Sequence, residues 1–132
     1  MARTFTPDEA NALLPELRPL AEQMVAAKRA FDEAQERSDQ VGRRIAGNGG
    51  GIPPAELGAL EEDVRERAGE CAEAVSGIQA LGVLVKDLDT GLLDFPSIRE
   101  GEAVLLCWRV GEDEVAFFHG YDEGFAGRSR IQ

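Results

Sequence analysis

Between Leu13 and Leu81 apolar residues recur in alternating steps of four and three, and this rhythm restricts the chain's fold more than any other feature. In the first half it selects Leu13, Leu17, Leu20, Met24, Ala27, Phe31, Ala34, Ser38, Val41 and Ile45, with Ser38 the one polar member. In the second it selects Leu57, Leu60, Val64, Arg67, Cys71, Ala74, Ile78 and Leu81, broken at Arg67, where Ala68 can substitute. A repeat averaging about 3.5 residues holds one apolar seam against a neighbouring helix. The pattern predicts a long, coiled-coil-like antiparallel two-helix hairpin over residues 6–81 with its tip at 47–54.

The ends of these helices are written in local chemistry. Thr6-Pro7-Asp8-Glu9 combines a hydroxyl N-cap, a first-turn proline and a glutamate placed to close a capping box, so a helix is expected to begin at Pro7. Pro15 and Pro19 lack the amide hydrogen that an inner helical turn requires. The expectation is therefore a short N-terminal helix, a turn or kink between Leu14 and Pro19, then a long helix to about Ile45. Gly47-Asn48-Gly49-Gly50-Gly51-Ile52-Pro53-Pro54 supplies the stop and restart. No Lys-Ser/Thr pair follows these glycines, so they make a hairpin tip rather than a phosphate cradle.

A helix from Pro15 to Ile45 would be about 46 Å long, whereas a compact domain of this length is about 36 Å across. The tip should project. A two-helix hairpin shields its seam from one side only, so self-association is expected, most simply a dimer forming a four-helix bundle. A helix from a different protein partner would satisfy the same surface.

After Leu81 the period changes to that of strands. Val83 to Leu88, Leu92 to Phe95, Ala103 to Val110 and Glu114 to His119 read as four strands, separated by turns at Asp89-Thr90-Gly91 and Gly111-Glu112-Asp113. The third strand places Val104, Leu106, Trp108 and Val110 on one face, predicting a small antiparallel β-meander packed on the helical base. Gly120 to Gln132 is expected as an ordered loop, with Tyr121, Phe125 and Ile131 to bury. The fold class is α+β, in a single domain over residues 1–132 with a β-rich part at 82–132.

Charge narrows the partners. The chain carries 14 basic and 25 acidic side chains, a net −11 that divides evenly between the helical and β-rich parts. Such a chain offers no basic face for nucleic acid or an anionic membrane surface. The start of the chain lacks a signal-peptide core, and the longest apolar run, Ala103 to Trp108, is far too short to span a bilayer. A cytoplasmic location is expected. Cys71 and Cys107 stand in no metal-ligand spacing and read as small buried hydrophobes.

The candidate chemistry clusters near the C-terminus. His119, the only histidine, precedes Tyr121, Asp122, Glu123 and Arg128. An imidazole oriented by a carboxylate is a common acid–base unit, and an arginine can fork onto an anion. A histidine satisfied at a strand edge by a backbone carbonyl or by Asp122 is the plainer alternative. His119 with Asp122, or with Asp87, Asp89 or Asp94 of the first hairpin, offers ligands for a hard cation. No His-x-x-x-His, Glu-x-x-His or close cysteine pair supports zinc or di-iron, so no metal is assigned. The candidate ligand-binding residues are His119, Asp122, Arg128, Asp87 and Asp94; the catalytic residues, cofactor and substrate remain unknown, and enzymatic activity is undecided.

Three stretches in order point to a family: Phe5-Thr6 with Glu9 to Leu17, Gly82 to Pro96, and Cys107-Trp108 followed by His119 and Gly124 to Arg128. Together they make the chain resemble the prokaryotic family catalogued as domain of unknown function 2203 over essentially its whole length. The resemblance implies a cytosolic bacterial protein and brings no established activity or cofactor. The leading reading is a non-enzymatic self-associating or partner-binding module that uses the hairpin. The alternative is a small-molecule or metal-binding protein, or an enzyme, with a site around His119, Asp122 and Arg128.

Overall fold

A computed structural model describes residues 3–48 and 51–131 of the chain. The expected hairpin tip at 47–54 therefore falls partly outside the described residues, at 49–50. Helix α1 spans Pro7–Asn48 and α2 spans Pro54–Gln79. The strands are β1 (Leu84–Asp87), β2 (Leu92–Arg99), β3 (Glu102–Arg109), β4 (Phe117–His119) and β5 (Ser129–Arg130), with a 3-10 turn at Phe125–Gly127 before β5. The two helices pack together and the five strands form one antiparallel meander in chain order, so the α+β reading holds.

The capping box forms as the sequence predicts. Thr6 Oγ1 accepts from the Glu9 N–H at 3.1 Å, and Glu9 Oε1 accepts from the Thr6 N–H at 2.8 Å. Those hydrogen bonds, the one from the Thr6 backbone first, lower the Glu9 carboxyl below its ordinary value.

The expected short N-terminal helix and kink do not appear: α1 continues for 42 residues with Pro15 and Pro19 inside it. Its inward stripe explains why. Ala10, Leu14, Leu17, Ala21 and Met24 are all buried, while both prolines lie on the exposed face, where water can take the carbonyls they leave without a partner. Burying a Leu or Met side chain contributes about 1.5–3 kcal/mol, and an interior proline costs about 3 kcal/mol. Three large side chains in this stretch therefore offset two prolines.

A further clasp holds the same turns to the sheet end of the molecule. The Asn11 side-chain amide donates to Val115 O at 3.2 Å, and its Oδ1 accepts from Val115 N at 2.7 Å. Arg18 donates to Asp113 O at 3.0 Å with its guanidinium over the Trp108 ring.

The sheet's inner face carries Leu93 and Phe95 of β2 and Leu106 and Trp108 of β3, packed with Phe5, Leu14, Leu17, Met24, Ile78 and Val83 into one core. Phe5 meets Phe95 edge to face at 5.3 Å. Strand β2 is longer than expected, since it passes through Pro96 to Arg99. Pro96 lies beyond the reach of β1, which pairs only as far as Asp94, so its missing N–H breaks no ladder with that strand. Its carbonyl accepts from Phe5 N at 2.7 Å. Glu100 and Gly101, with φ of 52° and 80°, make the two-residue turn into β3.

Candidate functional site

Alternation along a strand sends neighbours of the core residues to the opposite face of the sheet. On β2 that places Asp94 outward, directly across from Cys107 on β3. On β4, Phe117 lies across from Cys107 and His119 across from Leu105, so His119 stands diagonal to Cys107 on the same face. This face is not open: Asp94, Cys107 and His119 are only 1%, 0% and 5% exposed. The C-terminal segment contributes to the cover through Arg128, whose guanidinium sits 3.9 Å from the Phe117 ring centre and 4.0 Å from that of Phe125.

The hydrogen bonds define the protonation logic. His119 Nδ1 lies 2.8 Å from the Gly120 carbonyl, which can only accept, so Nδ1 carries a proton. Nε2 then faces Asp94, 3.2 Å from each carboxylate oxygen. Burial raises the Asp94 carboxyl, while the charge and hydrogen bond of His119 pull the other way. Burial, followed by the neighbouring Asp94 charge, pushes the Cys107 thiol up to about 11. A thiol so placed is protonated at neutral pH and is a poor nucleophile.

Arg128 approaches the same thiol from the other side, its Nη1 3.9 Å from Cys107 Sγ. Its charge is met by Glu112 Oε2 at 2.8 Å. Glu112 uses its remaining groups nearby, accepting from Arg109 N at Oε1 and from Trp108 Nε1 at its carbonyl. The end of β3, the core tryptophan and the returning C-terminal segment are thus tied through one residue.

Of the five candidate residues, the structure brings His119, Asp94 and Arg128 around Cys107. Asp87 stands apart at the end of β1, where its carboxylate accepts from the Thr90 hydroxyl at 2.6 Å and the Thr90 N–H at 3.2 Å. The hydroxyl hydrogen bond chiefly holds its carboxyl below the ordinary value. Asp122 is exposed, and no hydrogen bond or ion pair engages it among the described residues. Sequence reasoning placed Cys107 in the core, correctly for its burial, but did not connect it to Asp94 and His119. Glu112 was read only as a turn residue.

A second surface lies on the helical hairpin. Leu20, Ala27 and Ala30 of α1 and Ala74 and Gly77 of α2 line an open groove of about 490 Å³, bordered by Gln23, Glu70 and Glu73. Further out, Arg37 reaches Asp63 at 2.8 Å, so the two helices run antiparallel.

The fold and site define an α+β protein in which a long helical hairpin rises from a meander sheet that carries a sealed polar cluster on its outer face. A family model described as an uncharacterised conserved protein, DUF2203, matches residues 3–131, and the chain belongs to that family. No curated protein and no solved structure matched the chain. Among the described residues no helix is long and apolar enough to cross a membrane.

Proposed function

We propose that this protein is a self-associating module whose helical hairpin packs against a second copy of the chain, with the sheet as its rigid base. The observation that carries the reading is the incomplete burial of the seam. Of the 26 residues of α2 only Ile78 is fully buried, and Leu57, Leu60, Val64, Cys71 and Ala74 stay half-exposed. A partner helix pair would complete them.

Size favours a second copy. The hairpin offers a face about 39 Å long, the length of α2, and about 20 Å wide, two helix diameters. That is about 800 Å² per copy, the area that stable interfaces bury. The groove is lined by alanines and a glycine, which permit close helix approach. Arg29 and Arg44 make no ion pair among the described residues, and Glu73 beside the groove has none either, so two copies can exchange these charges. The sealing of Asp94, Cys107 and His119 speaks against a substrate reaching them in this state.

Light scattering coupled to size exclusion tests the reading at micromolar concentration. The expected mass is twice the chain's 14.3 kDa. Glu at Ala26 and Ala30, which line the groove away from the core, should return the chain to a folded monomer. A wild-type monomer under these conditions refutes the proposal.

A further inference from the structure

We propose that Asp94, Cys107 and His119 form a buried site for a single divalent transition-metal ion of the zinc type, held between β2, β3 and β4. The proposal is independent of self-association and concerns the opposite end of the molecule.

Three features of the geometry carry it. One ligand atom from each residue lies within 4.8 Å of the others. A tetrahedral centre with bonds of about 2.0–2.3 Å places its ligand atoms about 3.4–3.6 Å apart, so closure from 4.8 Å needs a contraction of about 1.2–1.4 Å at most. Next, the His119 ring is already oriented as a ligand: Nδ1 is engaged by the Gly120 carbonyl at 2.8 Å, leaving Nε2 aimed into the cluster. Finally, Nε2 is equidistant from the two Asp94 oxygens at 3.2 Å, longer than the about 2.7–2.9 Å of a charge-assisted hydrogen bond to one of them.

The donor set selects the ion. A thiolate, an imidazole nitrogen and one carboxylate oxygen suit zinc and its neighbours rather than magnesium or calcium, which take oxygen ligands. One thiolate and one carboxylate neutralise a divalent ion, so the loaded centre is buried without net charge. Arg128, already paired with Glu112, points Nη1 at Cys107 Sγ from 3.9 Å and would donate to the sulfur once it is a thiolate. Loading conserves charge: the ion enters as the Cys107 thiol proton and the proton shared by Asp94 and His119 leave. Three side chains leave the fourth tetrahedral position to a water molecule; the cluster is buried, so the ion's role is to clip three strands together rather than to meet a substrate.

The rival occupant of the same space is the proton itself, in a Cys–Asp–His hydrogen-bonded cluster. Cobalt(II) substitution separates the two. Metal-stripped protein titrated with cobalt(II) should develop thiolate-to-cobalt charge transfer and the intense visible bands of a tetrahedral centre, saturating at one equivalent. The chain has two cysteines, so Cys71→Ser should leave the spectrum intact and thereby assign it to Cys107. Cys107→Ser and His119→Gln should abolish saturation at one equivalent, with far-UV circular dichroism as the check on folding. Absence of the charge-transfer band in the wild type, or its loss in Cys71→Ser, overturns the proposal without requiring any cluster variant to fold. Binding that persists unchanged in folded Cys107→Ser overturns it as well, by showing cobalt on surface carboxylates.

Discussion

Replacing the two helical prolines should stabilise this protein, because the local and tertiary demands on α1 conflict there. Pro15 cannot donate to the carbonyl of Asn11, nor Pro19 to that of Pro15, yet the helix continues through both. In a host helix proline costs about 3 kcal/mol relative to alanine. Here both rings face solvent, where water can satisfy the freed carbonyls, and proline also restricts the unfolded chain, so part of that cost is already recovered. Pro15→Ala and Pro19→Ala should each add about 1–3 kcal/mol to stability. Each kcal/mol corresponds to about 3–5 °C in a domain of this size. Urea unfolding followed by circular dichroism should show a raised midpoint with an unchanged m value. An unchanged or lowered midpoint in both variants would refute the continuous helix, since it would mean that the prolines occupy a turn that suits them.

Other consequences follow from single contacts. Asn11→Ala removes both partners of the Val115 backbone and should cost about 2–3 kcal/mol, read from the same urea curves. With its thiol pushed up to about 11, Cys107 is about one part in a thousand thiolate at pH 8. A disulfide reagent should therefore spare Cys107 in the folded, metal-free protein and titrate it only after unfolding, whereas half-exposed Cys71 should react once dilution uncovers the seam. The Asp87 carboxyl is held below its ordinary value chiefly by the Thr90 hydroxyl, so its contribution is present above that ordinary value and is lost as pH falls through the folded one. Thr90→Val should flatten this acid limb in melting temperatures recorded from pH 5 downward.

The hairpin was legible because a seam sustained over many turns outweighs local exceptions such as Ser38 and Arg67. The inner face of the sheet was legible from alternation at Val104, Leu106 and Trp108. Misreadings arose where a local rule met a tertiary override. Pro15 and Pro19 signal a kink until the burial of Leu14, Leu17 and Met24 is weighed against them. Pro96 signals the end of β2, yet its place on the part of the strand that β1 does not cover lets the strand run on.

That second misreading also hid the site. Every residue pair of the β2–β3 hairpin sums to 201, from Leu92 with Arg109 to Arg99 with Glu102. Taking Glu100-Gly101 as the turn would have placed Asp94 opposite Cys107 from the sequence alone. The Glu100 position resisted recognition because φ above zero is uncommon for a residue with a side chain. Asp122 was drawn in by its nearness to His119 along the chain, and Asp87 by its place in the same hairpin as Asp94. Strand parity, rather than distance along the sequence, decides which carboxylate meets the imidazole.

The two ends of the hairpin should differ in local stability, and this supplies a second, independent test of association. Near the sheet α2 is anchored by Ile78, with Ala74 and Val75 packed against the core. From Pro54 to Arg67 it has no fully buried residue, and its Arg37–Asp63 ion pair to α1 is solvent-exposed. Such exposed pairs contribute only about 0–1 kcal/mol, and a helical stretch of about 14 residues is marginal without tertiary support. In an isolated chain the amides of residues 55–67 should therefore exchange hydrogen by local opening, well before those of residues 74–79. A second copy laid along the seam would remove that gradient by covering Leu57, Leu60 and Val64. Exchange measured across a dilution series distinguishes the cases: protection of the distal half that falls on dilution, while the sheet end stays constant, is the expected result. Uniform protection at every concentration would mean that the hairpin stabilises itself, and the half-exposed seam would then give no reason for a second copy.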